Sequence, residues 1–382
     1  MGWVTIPKPR WFELDREFTL RRDAAMLRGP VEWSWDVTNR CLGRCLHCLN
    51  RSGVVRREEL SDGEMLDVAR QIAAQRPLAI CLCGGEPLLR LDTVLAVATI
   101  LVGARVSVSM VTNGYLATPE AVRRLADAGI RLVQVSVDGA TAASHERLRQ
   151  LPGVFERAWA AIAALRDAGV TVGVSFVPTR QSIGEWRQVY DRCRAEGVSD
   201  LRMQPLMPLG QCHFAYEELA PTAAQYRDLA EDVAELAWNN PGAMRVEWGD
   251  PVDHLVRFGQ ALAMVTHMLH LTADGSIAVS IYLPVLLGNV RRHCLEDYWQ
   301  AGLGEAWQLR LIREMAYRVR SNRDFAAIRP HPFFDAPLDL DLIDLGRRGV
   351  ERLSDVVLAF LDRVWPAVDR PASPPDFQEI AS

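Results

Sequence analysis

Residues 32–48 read EWSWDVTNRCLGRCLHC, and this stretch decides how the rest of the chain is interpreted. Its first part, Glu32–Val37, is predicted to form a short β-strand, and Cys41, Cys45 and Cys48 follow it with C-x3-C-x2-C spacing. Three thiolates this close together can hold three corners of a cubane iron–sulfur cluster, which four cysteines normally hold. One iron would then lack a protein ligand, and an open coordination position is typical of a reactive metal site.

The chain around this motif alternates between predicted strands and helices. Helix starts are indicated by capping boxes at Ser61/Glu64 and Ser182/Glu185 and by the pair Thr118-Pro119. Repeated β-then-α units imply parallel strands with helical crossovers. Six units predict an α/β fold, a partial (β/α)6 TIM-like barrel open on one side rather than a closed barrel of eight. The predicted strands are Glu32–Val37, Leu78–Cys83, Val106–Val111, Leu132–Val137, Thr171–Val177 and Asp200–Leu206.

Polar and glycine-containing segments lie in or directly after each of these strands. Because functional groups of parallel α/β barrels gather at the carboxyl ends of the strands, we expect these segments to form one site. In chain order they are the cysteine triplet, Gly84-Gly85-Glu86-Pro87, Thr112-Asn113-Gly114, Ser136-Val137-Asp138-Gly139, Ser175 and Met203-Gln204-Pro205.

With these motifs, residues 31–210 resemble the radical S-adenosylmethionine (radical SAM) superfamily. The resemblance implies that Cys41, Cys45 and Cys48 bind a [4Fe–4S] cluster whose open iron is chelated by S-adenosylmethionine (SAM). It also implies reductive cleavage of SAM to a 5′-deoxyadenosyl radical, which removes hydrogen from a substrate. The electron would come from an external one-electron donor of the flavodoxin or ferredoxin type.

The same resemblance assigns SAM-binding roles to individual residues. Gly84, Gly85 and Glu86 match the motif that accepts the methionine amine of SAM. The further expected contacts line the pocket, bind the carboxylate or ribose, or pack near the adenine; they are Asn113, Ser136, Ser175, Arg149 and His47.

The region after Gly210 resembles the SPASM or Twitch extension of radical SAM enzymes that modify peptides. A short hairpin is predicted within Val265–Ile281, turning at Asp274-Gly275. The motifs that carry the resemblance are Asp274-Gly275-Ser276, Gly288-Asn289-Val290 and Leu295-Glu296-Asp297-Tyr298-Trp299. Only Cys212 and Cys294 remain in this region, too few for a second cubane, so we expect one cluster and an α+β scaffold without auxiliary metal. The expected divisions are 1–30 (N-terminal extension), 31–210 (barrel), 211–325 (SPASM-like), 326–365 (helical) and 366–382 (disordered tail).

Three cysteines outside the triplet carry hypotheses of their own. Cys212 follows the sixth predicted strand, where a thiol could donate a hydrogen atom to a substrate radical; the alternative is an ordinary loop cysteine. Cys81 and Cys83 alternate along a predicted buried strand and are expected to belong to the core.

Composition and charge exclude several classes of function. The 382 residues, 49% of them apolar, suffice for one large or two ordinary domains, and a net charge of −5 gives no reason to expect nucleic acid or an anionic membrane as partner. No run of about 18 apolar residues predicts a membrane span. The amino end does not resemble a secretory signal, so a cytoplasmic location is expected. Eight cysteines in such a chain favour metal or redox chemistry over disulfides.

Three functions remain open on the sequence. The first is a radical SAM enzyme that crosslinks or epimerises a ribosomally synthesised peptide; about 30 residues before the first strand are too few for a leader-recognition domain, so a separate chain could recognise the leader. The second is the same chemistry on a small metabolite such as a sugar, an aminocyclitol or a cofactor precursor. The third is a non-catalytic iron–sulfur or zinc module with His47 as a fourth zinc ligand, although no second cysteine pair lies at zinc-finger spacing.

Overall fold

A computed structural model describes residues 27–54, 57–239, 244–249, 251–260, 265–327 and 337–364. The strands are β1 (Glu32–Thr38), β2 (Ala79–Gly84), β3 (Ser107–Thr112), β4 (Leu132–Ser136), β5 (Thr171–Phe176), β6 (Asp200–Met203), β7 (Arg245–Trp248), β8 (Met268–Leu271), β9 (Ser276–Ala278), β10 (Val285–Leu286), β11 (Gly288–Asn289) and β12 (Leu338–Asp339). The helices are α1 (Asp62–Gln75), α2 (Leu91–Gly103), α3 (Pro119–Asp127), α4 (Ala142–Arg149), α5 (Val154–Asp167), α6 (Trp186–Ala195), α7 (Cys212–Leu219), α8 (Ala223–Asn239), α9 (Asp253–Gln260), α10 (Leu295–Gln300), α11 (Arg310–Tyr317) and α12 (Gly346–Val364).

The main sheet is an open sheet of ten strands in the order β11-β9-β8-β1-β2-β3-β4-β5-β6-β7. In this order, each strand from β8 through β1 and on to β7 is parallel to its neighbour. β9 pairs antiparallel with both β8 and β11. The six predicted parallel strands are confirmed, but the sheet is wider than predicted. A seventh parallel strand, β7, adds to β6, and an eighth, β8, adds to β1.

Opposite faces of β1 meet different surroundings. Trp33 and Trp35 are 0% exposed and lie in the main hydrophobic cluster together with Met65 and Ile72 of α1. Ser34 and Asp36 alternate with them and border a cavity on the other face of the sheet. This period of two places polar groups of neighbouring strands together on the inner face of the barrel.

The predicted helix signals are confirmed in part. Ser61 and Glu64 form the expected capping box, and the Thr118 side chain accepts a hydrogen bond from Ala121 N. The box predicted at Ser182 and Glu185 is wrong: the Ser182 hydroxyl bonds Thr179 instead. The Glu185 carboxylate accepts hydrogen bonds from Ala140 N, in the loop after β4, at 2.6 Å and from Ser144 Oγ of α4 at 2.7 Å.

The C-terminal region continues the barrel sheet. The predicted hairpin is present as β8 and β9, and because β8 also pairs with β1, the SPASM-like part and the barrel share one sheet. The predicted N-terminal extension before residue 27 and the predicted tail from 366 lie outside the described residues. Among the helices described, none is long and apolar enough to cross a membrane.

Candidate iron–sulfur and SAM site

A cavity of about 270 Å³ lies at the carboxyl ends of the parallel strands. The three cysteines of the triplet line it together with residues of six strands, β1 to β5 and β8. Ten of the residues predicted for the site border this single space; they are Cys41, Cys45, His47, Cys48, Gly84, Gly85, Asn113, Ser136, Arg149 and Ser175.

The cysteine loop is anchored by backbone hydrogen bonds to two other segments. Leu46 N donates to Leu148 O at 2.9 Å, at the end of α4, and Gln211 N donates to Cys48 O at 2.8 Å, just before α7. The loop therefore has a defined position although it has no regular secondary structure.

Nitrogen donors surround the three sulfurs. Ser52 N lies 3.3 Å from Cys48 Sγ, Asn113 Nδ2 lies 3.9 Å from Cys41 Sγ, and Arg149 Nη1 lies 4.0 Å from Cys45 Sγ. Hydrogen bonds to cluster sulfurs are one of the means by which a protein sets a cluster's reduction potential. The donor set therefore fits a thiolate-bound cluster.

Gly43 keeps space free between the first two sulfurs. A Cβ at this position would lie 3.3 Å from Cys45 Sγ and 3.9 Å from Cys41 Sγ. As free thiols, both cysteines are partly desolvated: burial raises the pKa of Cys41, and that of Cys45 to about 11. Since only thiolates bind metal, loading the site releases protons.

The Gly84-Gly85 turn packs against the backbone of the cysteine loop. Gly85 N donates to Thr38 O at 2.7 Å, and Glu86 N donates to Arg40 O at 2.9 Å. A Cβ on Gly85 would lie 2.0 Å from Arg40 O, so only glycine fits there. The glycines thus serve the loop's own position, in addition to bordering the cavity.

Glu86 differs from the expectation that its charge faces SAM. It is fully buried, does not border the cavity, and accepts hydrogen bonds from Thr112 Oγ1 at 2.8 Å, Asn113 N at 2.9 Å and Leu88 N at 3.1 Å. Burial raises the pKa of this carboxyl. Its structural effect is to tie the end of β3 to the glycine turn, which positions Asn113.

Ser136 and Ser175 are partners across two strands. They face each other in the β4–β5 register, with 3.5 Å between their hydroxyl oxygens, and both border the cavity. The pair therefore offers two adjacent hydroxyl groups to a bound ligand.

A buried charge network holds Arg149 and His47. Asp138 accepts a hydrogen bond from Arg149 Nε at 2.6 Å, and its Oδ2 lies 3.6 Å from His47 Nε2. Burial alone would raise the pKa of Asp138, but the charges of Arg149, His47 and His145 outweigh it and lower the pKa to about 2. Burial lowers the pKa of His47 to about 4, so its ring is neutral near pH 7.

The sequence predicts Asp138 at the site, within the segment Ser136-Val137-Asp138-Gly139, but assigns it no role. The available signal was its place directly after Ser136-Val137 at the end of β4. Its carboxylate also accepts Val177 N at 2.9 Å, after β5. It therefore joins the ends of β4 and β5 to the arginine that contacts Cys45.

Cys212 does not border the cavity. It is 0% exposed, lies at the start of α7, and belongs to a small hydrophobic cluster with Leu148, Leu206 and Tyr216. Cys83 instead borders the cavity, so the expectation that it belongs to the packed core is wrong. The reason is the alternation of β2, in which Ile80 and Leu82 take the buried face.

Comparison with known proteins agrees with this site. Residues 35–193 match the family model of the Radical SAM superfamily. AdoMet-dependent heme synthase from Methanosarcina barkeri (strain Fusaro / DSM 804) is 27% identical over 296 residues, covering 72% of this chain and 84% of that protein. Mycofactocin maturase MftC from Mycobacterium tuberculosis (strain ATCC 25618 / H37Rv) is 32% identical over 264 residues, covering 68% of this chain but only 63% of that protein.

A solved structure has the same architecture. Streptococcus suis SuiB bound to precursor peptide SuiA superimposes with a TM-score of 0.58 over 78% of this chain and 70% of that one. The sequence identity is 15%, so this likeness concerns the fold.

The fold and the three-cysteine cavity define an enzyme that uses an iron–sulfur cluster together with SAM. Residues 35–193 belong to the radical SAM superfamily, whose cofactors are a [4Fe–4S] cluster and SAM. The cysteine loop, with its cleared space at Gly43 and its nitrogen donors, fits the cluster.

Proposed function

We propose that this radical SAM enzyme modifies a ribosomally synthesised peptide. The observation that carries the assignment of chemistry is the single cavity shared by the three thiols, the glycine turn and the Ser136–Ser175 pair. When bound, the cluster and SAM supply a 5′-deoxyadenosyl radical that can remove hydrogen from an unactivated C–H bond.

The residues of this chain have separable tasks in that chemistry. Cys41, Cys45 and Cys48 would hold the cluster, and Arg149 beside Cys45 adds positive charge where an electron must be accepted. The hydroxyls of Ser136 and Ser175, with Asn113, would orient SAM. Asp138 keeps Arg149 and the neutral ring of His47 in place.

A peptide substrate is supported by two relationships. The structural neighbour SuiB is bound to a precursor peptide, and mycofactocin maturase is a similar sequence. The β8–β9 hairpin after the barrel also matches the resemblance to SPASM-type enzymes. The proposal includes both crosslinking and epimerisation as reactions. It also includes an external electron donor of the flavodoxin or ferredoxin type and a separate chain that recognises the leader peptide.

The proposal is tested by co-expressing the enzyme with short peptides encoded beside its gene and measuring their mass. A crosslink makes the peptide lighter by two hydrogens, whereas epimerisation leaves the mass unchanged and adds deuterium in heavy water. If the reconstituted enzyme cleaves SAM but no neighbouring peptide changes in mass, stereochemistry or deuterium content, the peptide assignment is rejected.

A small cofactor precursor is the second candidate substrate. It is favoured by the heme synthase relative, of which this chain covers 84%. The two candidate substrates are distinguished by measuring 5′-deoxyadenosine formation with an added porphyrin and, separately, with the added neighbouring peptide. Stimulation by the porphyrin alone would select the second candidate.

A further inference from the structure

A second group of polar side chains lines the same cavity and belongs to none of the motifs described above. The Asp36 carboxylate is its centre: Oδ1 lies 3.4 Å from Cys83 Sγ, and Oδ2 lies 3.1 Å from both His270 Nε2 and Asn50 Nδ2. Asp36, Asn50, Cys83 and His270 all border the cavity. The thiol, the carboxylate and the imidazole thus form a continuous chain of hydrogen bonds.

The sheet register brings this group together. Asp36 of β1 stands directly opposite Cys83 of β2, and Ser34 of β1 stands opposite His270 of β8. All four therefore lie on the inner face of the barrel. The pairing of β8 with β1, which the sequence does not predict, brings His270 to the site.

His270 has an open hydrogen-bonding position. Its residue is 6% exposed, Nε2 is engaged by Asp36, and Nδ1 is buried without a hydrogen-bond partner. A buried polar atom left unpaired destabilises the folded state, so Nδ1 is expected to meet a ligand or water in the cavity. Through His270, protons from the cavity can reach Asp36.

Cys83 is held as a neutral thiol. Its hydrogen bond with Cys81, its burial and the nearby charge of Asp36 raise its pKa well above the ordinary value. A thiol that keeps its hydrogen can give it up as an atom, because an S–H bond is weaker than an aliphatic C–H bond. Among the described residues, Cys83 is the only thiol outside the triplet that borders the cavity.

We propose that Cys83 donates a hydrogen atom to the substrate radical formed in this cavity, and that Asp36 and His270 resupply its proton. This inference rests on the proposed radical SAM function. It assigns the enzyme to reactions in which the substrate's abstracted hydrogen is replaced by one from solvent, as in epimerisation.

The steps balance as follows. The substrate carbon radical forms a C–H bond while the Cys83 S–H bond breaks, which leaves a thiyl radical. One electron from the external flavodoxin- or ferredoxin-type donor and one proton restore the thiol. The proton passes from His270 Nε2 to Asp36 and on to Cys83, while His270 Nδ1 takes a proton from the cavity.

The first test needs no peptide. Loaded enzyme is given SAM and dithionite in D2O without added thiols, and the deuterium in the 5′-deoxyadenosine is measured by mass spectrometry. Wild type should transfer deuterium from Cys83 to the nucleoside. In Cys83→Ser, deuterium incorporation should fall severalfold at unchanged iron content, because an O–H bond is too strong to donate.

The matched control is Cys294→Ser, which removes a partly exposed thiol that does not border this cavity and should incorporate deuterium as wild type does. Unchanged deuterium in Cys83→Ser would overturn the inference, and so would its loss in Cys212→Ala instead. A wild type that forms 5′-deoxyadenosine without deuterium also overturns it. A loaded wild type that forms no 5′-deoxyadenosine contradicts the proposed function itself, so the two failures are distinguishable.

The second test reads the thiol directly, without turnover. The S–H stretching band of Cys83 is isolated in the infrared difference spectrum between wild type and Cys83→Ser, and its exchange in D2O is timed. Asp36→Asn and His270→Phe should slow the exchange severalfold without removing the band. Exchange at the wild-type rate in both variants would rule out the proton path through Asp36 and His270.

Discussion

Gly85 leaves no room for a side chain at the site. Its amide bonds Thr38 O, and its Cα approaches the cysteine loop so closely that a Cβ would lie 2.0 Å from Arg40 O. Backbone cannot move aside as a flexible side chain can. The position of the cysteines therefore depends on a residue that binds no metal.

Gly85→Ala should displace the cysteine loop and lower cluster loading severalfold, measured as iron and sulfide per chain after anaerobic reconstitution. Gly63→Ala in α1 is the control, since nothing lies within 4 Å of a Cβ there. Normal iron content in Gly85→Ala would show that the close approach does not position the loop.

Asp138 and Arg149 form a buried ion pair at the site. Asp138 is 0% exposed, and Arg149 has no other carboxylate partner among the described contacts. Asp138→Asn leaves the guanidinium buried beside Cys45, so the free energy of unfolding should fall by about 3–5 kcal/mol in urea titrations. Glu120→Gln, which breaks an exposed pair with Arg123, should show no resolvable change.

Elements of the fold differ in how far the sequence predicts them. The first six strands were located to within a few residues, because each is a short apolar run followed by a helix with end signals. β7 and β8 have only four residues each. β7 lies far along the chain from its partner β6, and β8 pairs with β1, the first strand, rather than with a strand that directly precedes it in sequence. Local patterns carry no information on such pairing.

The same distinction applies to the site. Residues on motifs that follow a strand, such as Ser136 and Asn113, were found from the sequence. Asp36 and His270 were not, because their contact depends on the β1–β8 register. Glu86 was found but given another role, since the sequence does not show that Thr112 and Asn113 would bury it.

The β1–β8 pairing predicts that the barrel does not fold without the C-terminal region. A fragment of residues 1–210 would lack β8, leaving β1 unpaired on one side and Trp33 without the neighbouring Leu269. We expect the fragment to aggregate and to show no cooperative unfolding by circular dichroism, unlike the full chain. A monomeric fragment with a cooperative transition would show that the two parts fold separately.

The molecule as a whole should lose stability between about pH 6.5 and 4. Burial lowers the pKa of His145 and His254 to about 4, so the unfolded chain binds more protons over this range and favours unfolding as pH falls. Each histidine contributes a slope of about 1.4 kcal/mol per pH unit in the free energy of unfolding. Asp138, whose pKa is lowered to about 2, loses its contribution only at lower pH.

His145→Gln removes one of these groups and should reduce the slope by about 1.4 kcal/mol per pH unit, measured by urea titration of the unloaded protein at several pH values. An unchanged slope would mean that His145 is protonated equally in the folded and unfolded states.

The central claim is that three cysteines hold one cluster whose open iron binds SAM. It is tested most directly by 5′-deoxyadenosine formation from SAM in anaerobically reconstituted protein, with iron counted in the same sample. We predict about four irons per chain and SAM cleavage in wild type, and loss of both in Cys41→Ala, Cys45→Ala and Cys48→Ala. An iron-free wild-type protein, or SAM cleavage that persists in all three variants, would contradict the account.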